Sequence, residues 1–141
     1  MSQHYPDNKY LLYNPKESKN NLFLNSFDNV TEKRPKNKRD TFFYNLWRQK
    51  NVCKDLLHDQ VDIFHGLTGE IPLGIRKTGI PVVVTIHDLI FLRFPKFYSF
   101  IDYKIHKYKA QYAVNNADMV VAVSEQTKQD IIDFFGIDAE K

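Results

Sequence analysis

With one cysteine, Cys53, the chain cannot form an internal disulfide, which fits a reducing compartment. No N-terminal stretch has the charged-then-apolar pattern of a signal peptide. The longest apolar run, around residues 81–92, is interrupted by His87-Asp88 and is too short to span a bilayer. Gly-Leu-Thr-Gly at 66–69 lacks the Lys-Ser/Thr of a P-loop and the three-glycine pattern of a dinucleotide fold. His65 and His87 come without His-Glu-x-x-His or Cys-x-x-Cys spacing, so no metal site is expected. No Ser-His-Asp or Cys-His arrangement suggests a nucleophile. A net charge of +3 is no sign of a nucleic-acid partner. These absences leave a soluble, cytoplasmic domain as the expectation.

The stretch that organises the chain is residues 81–95, PVVVTIHDLIFLRFP. Its β-branched run reads as a strand buried on both faces. His87 and Asp88 close it, where a strand leaves the sheet. In open parallel sheets ligands bind outside the carboxyl ends of the strands, so this pair is the first candidate for chemistry. Residues 89–92 carry apolar surface that must pack on something.

Around this stretch the pattern alternates. Residues 9–14 read as a short strand stopped by Asn14-Pro15, and 22–24 as a weaker one. The basic run 31–40 has no apolar residue but Pro35 and reads as a solvated, mobile loop. From Thr41 an amphipathic helix is expected, with Phe43, Leu46, Trp47, Cys53, Leu56 and Leu57 on its apolar side, ending near Asp59-Gln60. Residues 61–65 form a strand that ends at the Gly66–Gly69 loop, and Glu70-Ile71-Pro72-Leu73 opens a short helix. Residues 97–116 read as a long helix with a buried stripe of Ile101, Ile105, Tyr108, Tyr112 and Ala113. A buried strand at 118–123 precedes Ser124, an N-cap for a helix over 125–135, with Gly136 as its stop. Strand–helix repetition with buried parallel strands predicts an α/β, doubly wound, Rossmann-like sheet.

The His-Gly loop FHGLTGEIPLG, the run VVVTIHDLIFLRFP and the segment NNADMVVAVSEQTKQDIIDFFGI together resemble the N-terminal, acceptor-side domain of family 4 retaining glycosyltransferases of the GT-B fold. Within the family the likeness is to O-antigen mannosyltransferases. The resemblance implies hexose transfer from a nucleotide sugar to a polysaccharide or lipid-linked acceptor. It also implies that residues 1–141 are a partial domain, truncated at both ends, without the first strand and the C-terminal donor domain. Such a chain alone is expected to be inactive. No cofactor is implied, the nucleotide sugar being a substrate held mainly by the other domain. Peripheral contact with the inner membrane face is a further expectation.

Carried onto this sequence, the resemblance makes His87 the histidine beside donor sugar and acceptor; its alternative is a histidine merely bonded at a strand end. Asp88 is catalytic or, equally, a loop-capping carboxylate. His65, Gly66, Thr68, Gly69 and Glu70 are the implied acceptor-binding loop, and Ser124, Glu125 and Lys128 the implied cleft lining. Same-face attack within an ion pair asks the protein for positioning and electrostatics rather than a nucleophile. The competing readings are a non-catalytic remnant and a small α/β binding module.

Overall fold

The computed structural model describes residues 2–17 and 27–141, and the strand expected at 22–24 lies outside them. The chain divides into two compact units, Met1–Asp55 and Leu56–Lys141. The architecture is α/β with parallel strands throughout, as the alternating pattern predicts, but the strands form two sheets rather than one.

In the first unit β1 (Tyr10–Tyr13) pairs in parallel with β2 (Val30–Lys33), Tyr10 opposite Val30 and Tyr13 opposite Lys33. The expected basic loop therefore begins as a strand. Val30 and Thr31 are β-branched, and a ladder beside β1 satisfies their backbone more fully than solvent contacts would. Part of the charge that suggested a loop is paired locally. Glu32 accepts from Asn14 Nδ2 at 2.7 Å and lies 3.5 Å from Arg34.

The helix expected from Thr41 starts earlier and is broken. Asn37 caps α1 (Lys38–Phe42), its side chain accepting from Asp40 N at 2.7 Å. Phe43, at φ −97° and ψ 48°, interrupts the path before α2 (Tyr44–Leu46). A π-helical turn over Trp47–Asn51 then leads into α3 (Val52–His58). Each interruption shifts the helical phase, so the expected stripe does not stay on one face. Trp47, Val52 and Leu56 are buried, while Phe43, Leu46 and Leu57 are exposed and Cys53 is half-buried. The Trp47 indole N–H donates to Asp55 Oδ2 at 2.6 Å, giving its one polar atom a partner.

The second unit is built on a three-stranded sheet of β3 (Phe64–Gly66), β4 (Val82–Ile86) and β5 (Met119–Ala122), with β4 in the middle. Val82, Val84 and Ile86 of β4 are buried and Val83 and Thr85 half-buried, so both faces are largely covered, as the β-branched run requires. β5 is more open than its sequence suggests. It has no strand beyond it among the described residues, and Met119 and Val121 are exposed. Asp118 ties the amino end of β4. Its Oδ2 accepts from Val82 N at 2.8 Å and its other oxygen pairs with Arg76. The Val82 amide first, and then Arg76, hold the Asp118 carboxyl below its ordinary range.

Two helical expectations change here. Residues 70–74 form an irregular turn, and the helical turn comes later, over Ile75–Thr78. The apolar segment after Asp88, given no helix above, forms α4 (Ile90–Arg93), which packs against α5 (Phe100–Asn116) and buries Phe91. Ser99 caps α5, accepting from Asp102 N at 3.1 Å. Of the expected stripe α5 buries Ala113 and half-buries Tyr112, together with Ala110 and Val114, whereas Ile101, Ile105 and Tyr108 are exposed. Small side chains allow close approach to the sheet, and this outweighs the larger apolar stripe. The last helix, α6 (Glu125–Phe135), has Asp130 buried against α4. Arg93 Nε and Nη2 reach the two carboxylate oxygens at 2.6–2.9 Å, and Gln126 Nε2 adds a bond of 3.0 Å.

Candidate active site

Because the three strands of the second unit run parallel, their carboxyl ends share one edge. Gly66 lies opposite Val84, and Ile86 opposite Ala122, so the segments after β3, β4 and β5 emerge together. They carry His65 with residues 66–70, then His87 and Asp88, then Ser124. His65, His87 and Ser124 therefore stand along one edge of the sheet.

The geometry of the first loop depends on two glycines. A Cβ on Gly66 would lie 2.5 Å from the carbonyl oxygen of Glu70, so backbone occupies the space where any other side chain would start. Gly69 sits at φ +72°, which L side chains rarely adopt. Together they fold the loop back on itself. It thereby presents the Leu67 carbonyl to His87, whose Nε2–H donates to it at 2.8 Å.

His87 is exposed at this edge and held from two sides. Its ring is fixed by the Leu67 carbonyl. Its own carbonyl accepts from the hydroxyl of buried Thr127 at 3.1 Å. Thr127 has one hydroxyl proton, so Ser124 Oγ, 3.0 Å away, donates to Thr127 Oγ1 and accepts from Thr127 N at 3.1 Å. Ser124 thus caps α6 as expected and also completes the support of the His87 backbone. Thr127 was not picked out from the sequence, although it stands inside the Val-Ser-Glu-x-Thr-Lys motif. A threonine three residues after the Ser124 cap was the signal available.

The remaining candidates fall into distinct positions. Asp88 is exposed and its Oδ1 accepts from Ile90 N at 3.2 Å, the loop-capping arrangement. His65 is half-buried, its Nε2 2.8 Å from Thr85 Oγ1, and burial lowers its pKa, favouring the neutral ring. Glu70 pairs with Lys109 of α5 at 3.0 Å. It stands at no helix N-terminus, because the helical turn begins at Ile75. Thr68 is exposed in the loop. Glu125 and Lys128, with Ser124, line a cavity of about 300 Å³ shared with Val120, Ile131 and Asp138. That cavity runs along β5, and the loop 66–70 and His87 do not line it. The expected single cleft lining is therefore two neighbouring features, joined through Ser124.

Residues 66–70, 87–89 and 123–125 contain no lysine or arginine. These loops offer hydroxyls, carbonyls, carboxylates and imidazole, which suit sugar hydroxyls, and the cations beside them are Lys128 of α6 and Lys109, paired with Glu70. Among the described residues no three His, Cys, Asp or Glu side chains cluster as metal ligands, and no helix is long and apolar enough to cross a membrane.

Comparison with known proteins adds one finding. No curated protein and no solved structure matches the chain. Residues 13–141 match the family model of Glycosyltransferase Family 4. With that match over nearly the whole sequence, and a Rossmann-like parallel sheet bearing polar strand-end loops, the chain belongs to Glycosyltransferase Family 4.

Proposed function

We propose that this chain carries the acceptor side of a retaining hexosyl transfer, from a nucleotide sugar to a glycan or lipid-linked acceptor, with mannose the favoured hexose. The observation that supports this reading is His87, exposed at the shared strand edge and fixed through Leu67 and Thr127. With Nε2–H committed to the Leu67 carbonyl, Nδ1 of the neutral ring is left to accept a hydrogen bond from a sugar hydroxyl. Asp88 and the loop of His65, Gly66, Thr68, Gly69 and Glu70 would border the acceptor, and Ser124, Glu125 and Lys128 the adjoining wall. Retention by same-face attack suits such a site. The leaving diphosphate takes the acceptor proton, and the protein supplies position and polarity rather than a nucleophile.

In a form of the protein that transfers sugar, His87→Ala should lower kcat/KM roughly 10- to 1,000-fold. His87→Gln separates chemistry from support, since its amide can still donate to the Leu67 carbonyl. If Gln restores the melting temperature but not turnover, the ring itself acts on the substrate. Full activity in both variants, with melting lowered only in His87→Ala, would return His87 to holding the loop.

A second expectation follows from the missing cations in these loops. The 141-residue chain alone should turn over no nucleotide sugar and show no saturable nucleotide binding by calorimetry at millimolar ligand. A diphosphate is ordinarily gripped by lysine, arginine or convergent backbone amides. Binding in the micromolar range would place the donor site on this chain and overturn the acceptor-side assignment.

A further inference from the structure

Two polar side chains of α5 reach the loop that follows β3. Lys109 Nζ lies 3.0 Å from Glu70 Oε1, and the Tyr112 hydroxyl oxygen accepts from Gly74 N at 2.7 Å. Lys109 and Tyr112 are spaced i, i+3, so they leave the helix on one face. Neither bond is needed to seat α5, which buries Ala110, Ala113 and Val114. Both bonds tie down the loop instead.

The parts of that loop are held unequally. Gly66 belongs to the ladder with β4, and Ile71, Pro72 and Ile75 are buried. Leu67 and Thr68, between them, are exposed. This exposed stretch carries the carbonyl that fixes the His87 ring. It closes at Glu70, whose own carbonyl oxygen lies where a Cβ on Gly66 would stand 2.5 Å away. The position of Glu70 therefore sets the closure of the loop, and with it the aim of the Leu67 carbonyl. Lys109 holds the Glu70 side chain. The two side chains are only 32% and 31% exposed, so their attraction is less diluted by water than that of a fully solvated pair. Which nitrogen of a histidine carries the proton is set by the bond the other makes. An acceptor held at Nε2 keeps the proton there and leaves Nδ1 with its lone pair.

We propose that Lys109, through Glu70, and Tyr112, through Gly74, are positioning residues for the sugar site. From α5 they hold loop 66–74 so that the Leu67 carbonyl keeps the His87 ring in the tautomer with Nδ1 open to a sugar hydroxyl. The purpose of this tie rests on the acceptor-side reading, but the tie itself is measured without any sugar. Its failure leaves the transferase reading standing, and failure of the His87 kinetics leaves the measured tie unchanged.

The test is long-range proton–nitrogen NMR of the full, isotopically labelled chain at about pH 8.5, above the ordinary histidine range. The His87 signals are assigned by their loss in His87→Gln. In the parent, Nδ1 should resonate as an unprotonated nitrogen. Lys109→Met should move it toward the average of the two tautomers, and Glu70→Met should do the same from the other side of the pair. Lys109→Arg keeps the charge and should restore the parent position. The double variant Lys109→Met with Glu70→Met should move the signal no further than either alone, because both remove one interaction. In Tyr112→Phe the Gly74 amide should exchange with solvent about tenfold faster, while Val84 in β4 keeps its parent rate. A His87 spectrum unmoved by Lys109→Met, an equal shift in Lys109→Arg, or parent-like Gly74 exchange in Tyr112→Phe would overturn the proposal.

Discussion

Gly66→Ala should destabilise the chain by about 3 kcal/mol, the upper end of overpacking, and lower its melting temperature by about 10 °C. The new methyl would begin 2.5 Å from the Glu70 carbonyl oxygen and 3.0 Å from Ile71 Cγ2. A flexible side chain could swing away from such a clash, but a carbonyl fixed by its neighbours cannot move alone. Either the end of β3 shifts, against its ladder to β4, or the loop 66–70 opens. Opening the loop moves the Leu67 carbonyl and releases the His87 ring, so the same substitution should also perturb the proposed sugar site. Gly74→Ala is the control. Gly74 has φ +85° but nothing within 4 Å of a built Cβ, so it should cost only the left-handed backbone penalty of about 1 kcal/mol. Equal melting temperatures for the two variants would show that the Glu70 carbonyl gives way at little cost, and that close approach does not explain the glycine at 66.

The contrast between these glycines shows what the sequence could disclose. The Gly-x-x-Gly spacing, the apolar run ending in His87-Asp88 and the Ser124 cap are local features, and local features place strands, turns and helix starts. They were enough for the parallel α/β class and for the shared edge. What the sequence did not show depended on partners distant along the chain. Val30–Lys33 is a strand because β1 pairs with it, and its own composition reads as loop. The stripe Ile101, Ile105, Tyr108 has helical spacing, yet α5 buries its alanines, because how closely a helix can approach a sheet is not a property of periodicity. Periodicity finds an apolar face without saying what covers it. Thr127 and the Leu67 carbonyl were equally hidden. Their roles arise from bonds to His87 across 40 and 20 positions of sequence. The π-helical turn at Trp47–Asn51 gave no compositional sign, and it alone is enough to carry a stripe out of phase.

Arg93→Met should destabilise the chain clearly at neutral pH, through the aspartate it abandons. Asp130 is 4% exposed, and its carboxylate accepts from Arg93 at 2.6–2.9 Å and from Gln126 at 3.0 Å. Removing the guanidinium leaves a buried charge with one neutral donor, and uncompensated buried charges are among the costliest single defects. The loss should be smaller than for a fully enclosed pair, because the Arg93 side chain is 41% exposed and solvent can partly take its place. The charge origin gives the effect a pH signature. Arg93 bonding holds the Asp130 carboxyl below its ordinary range. A carboxyl depressed in the folded state adds stability that is fully present above its unfolded value, about 3.9, and is lost as pH falls through the folded one. In Arg93→Met, burial without the cation favours the protonated acid, which needs no partner charge. The gap between parent and variant should therefore be widest near pH 7 and close as the pH approaches 3, in urea unfolding followed across that range. Pairing Arg93→Met with Asp130→Leu should recover most of the loss, because the buried charge leaves with its partner. A gap that stays constant with pH, or a double variant as unstable as Arg93→Met alone, would mean that Arg93 holds α4 to α6 by packing its alkyl stem rather than by its charge.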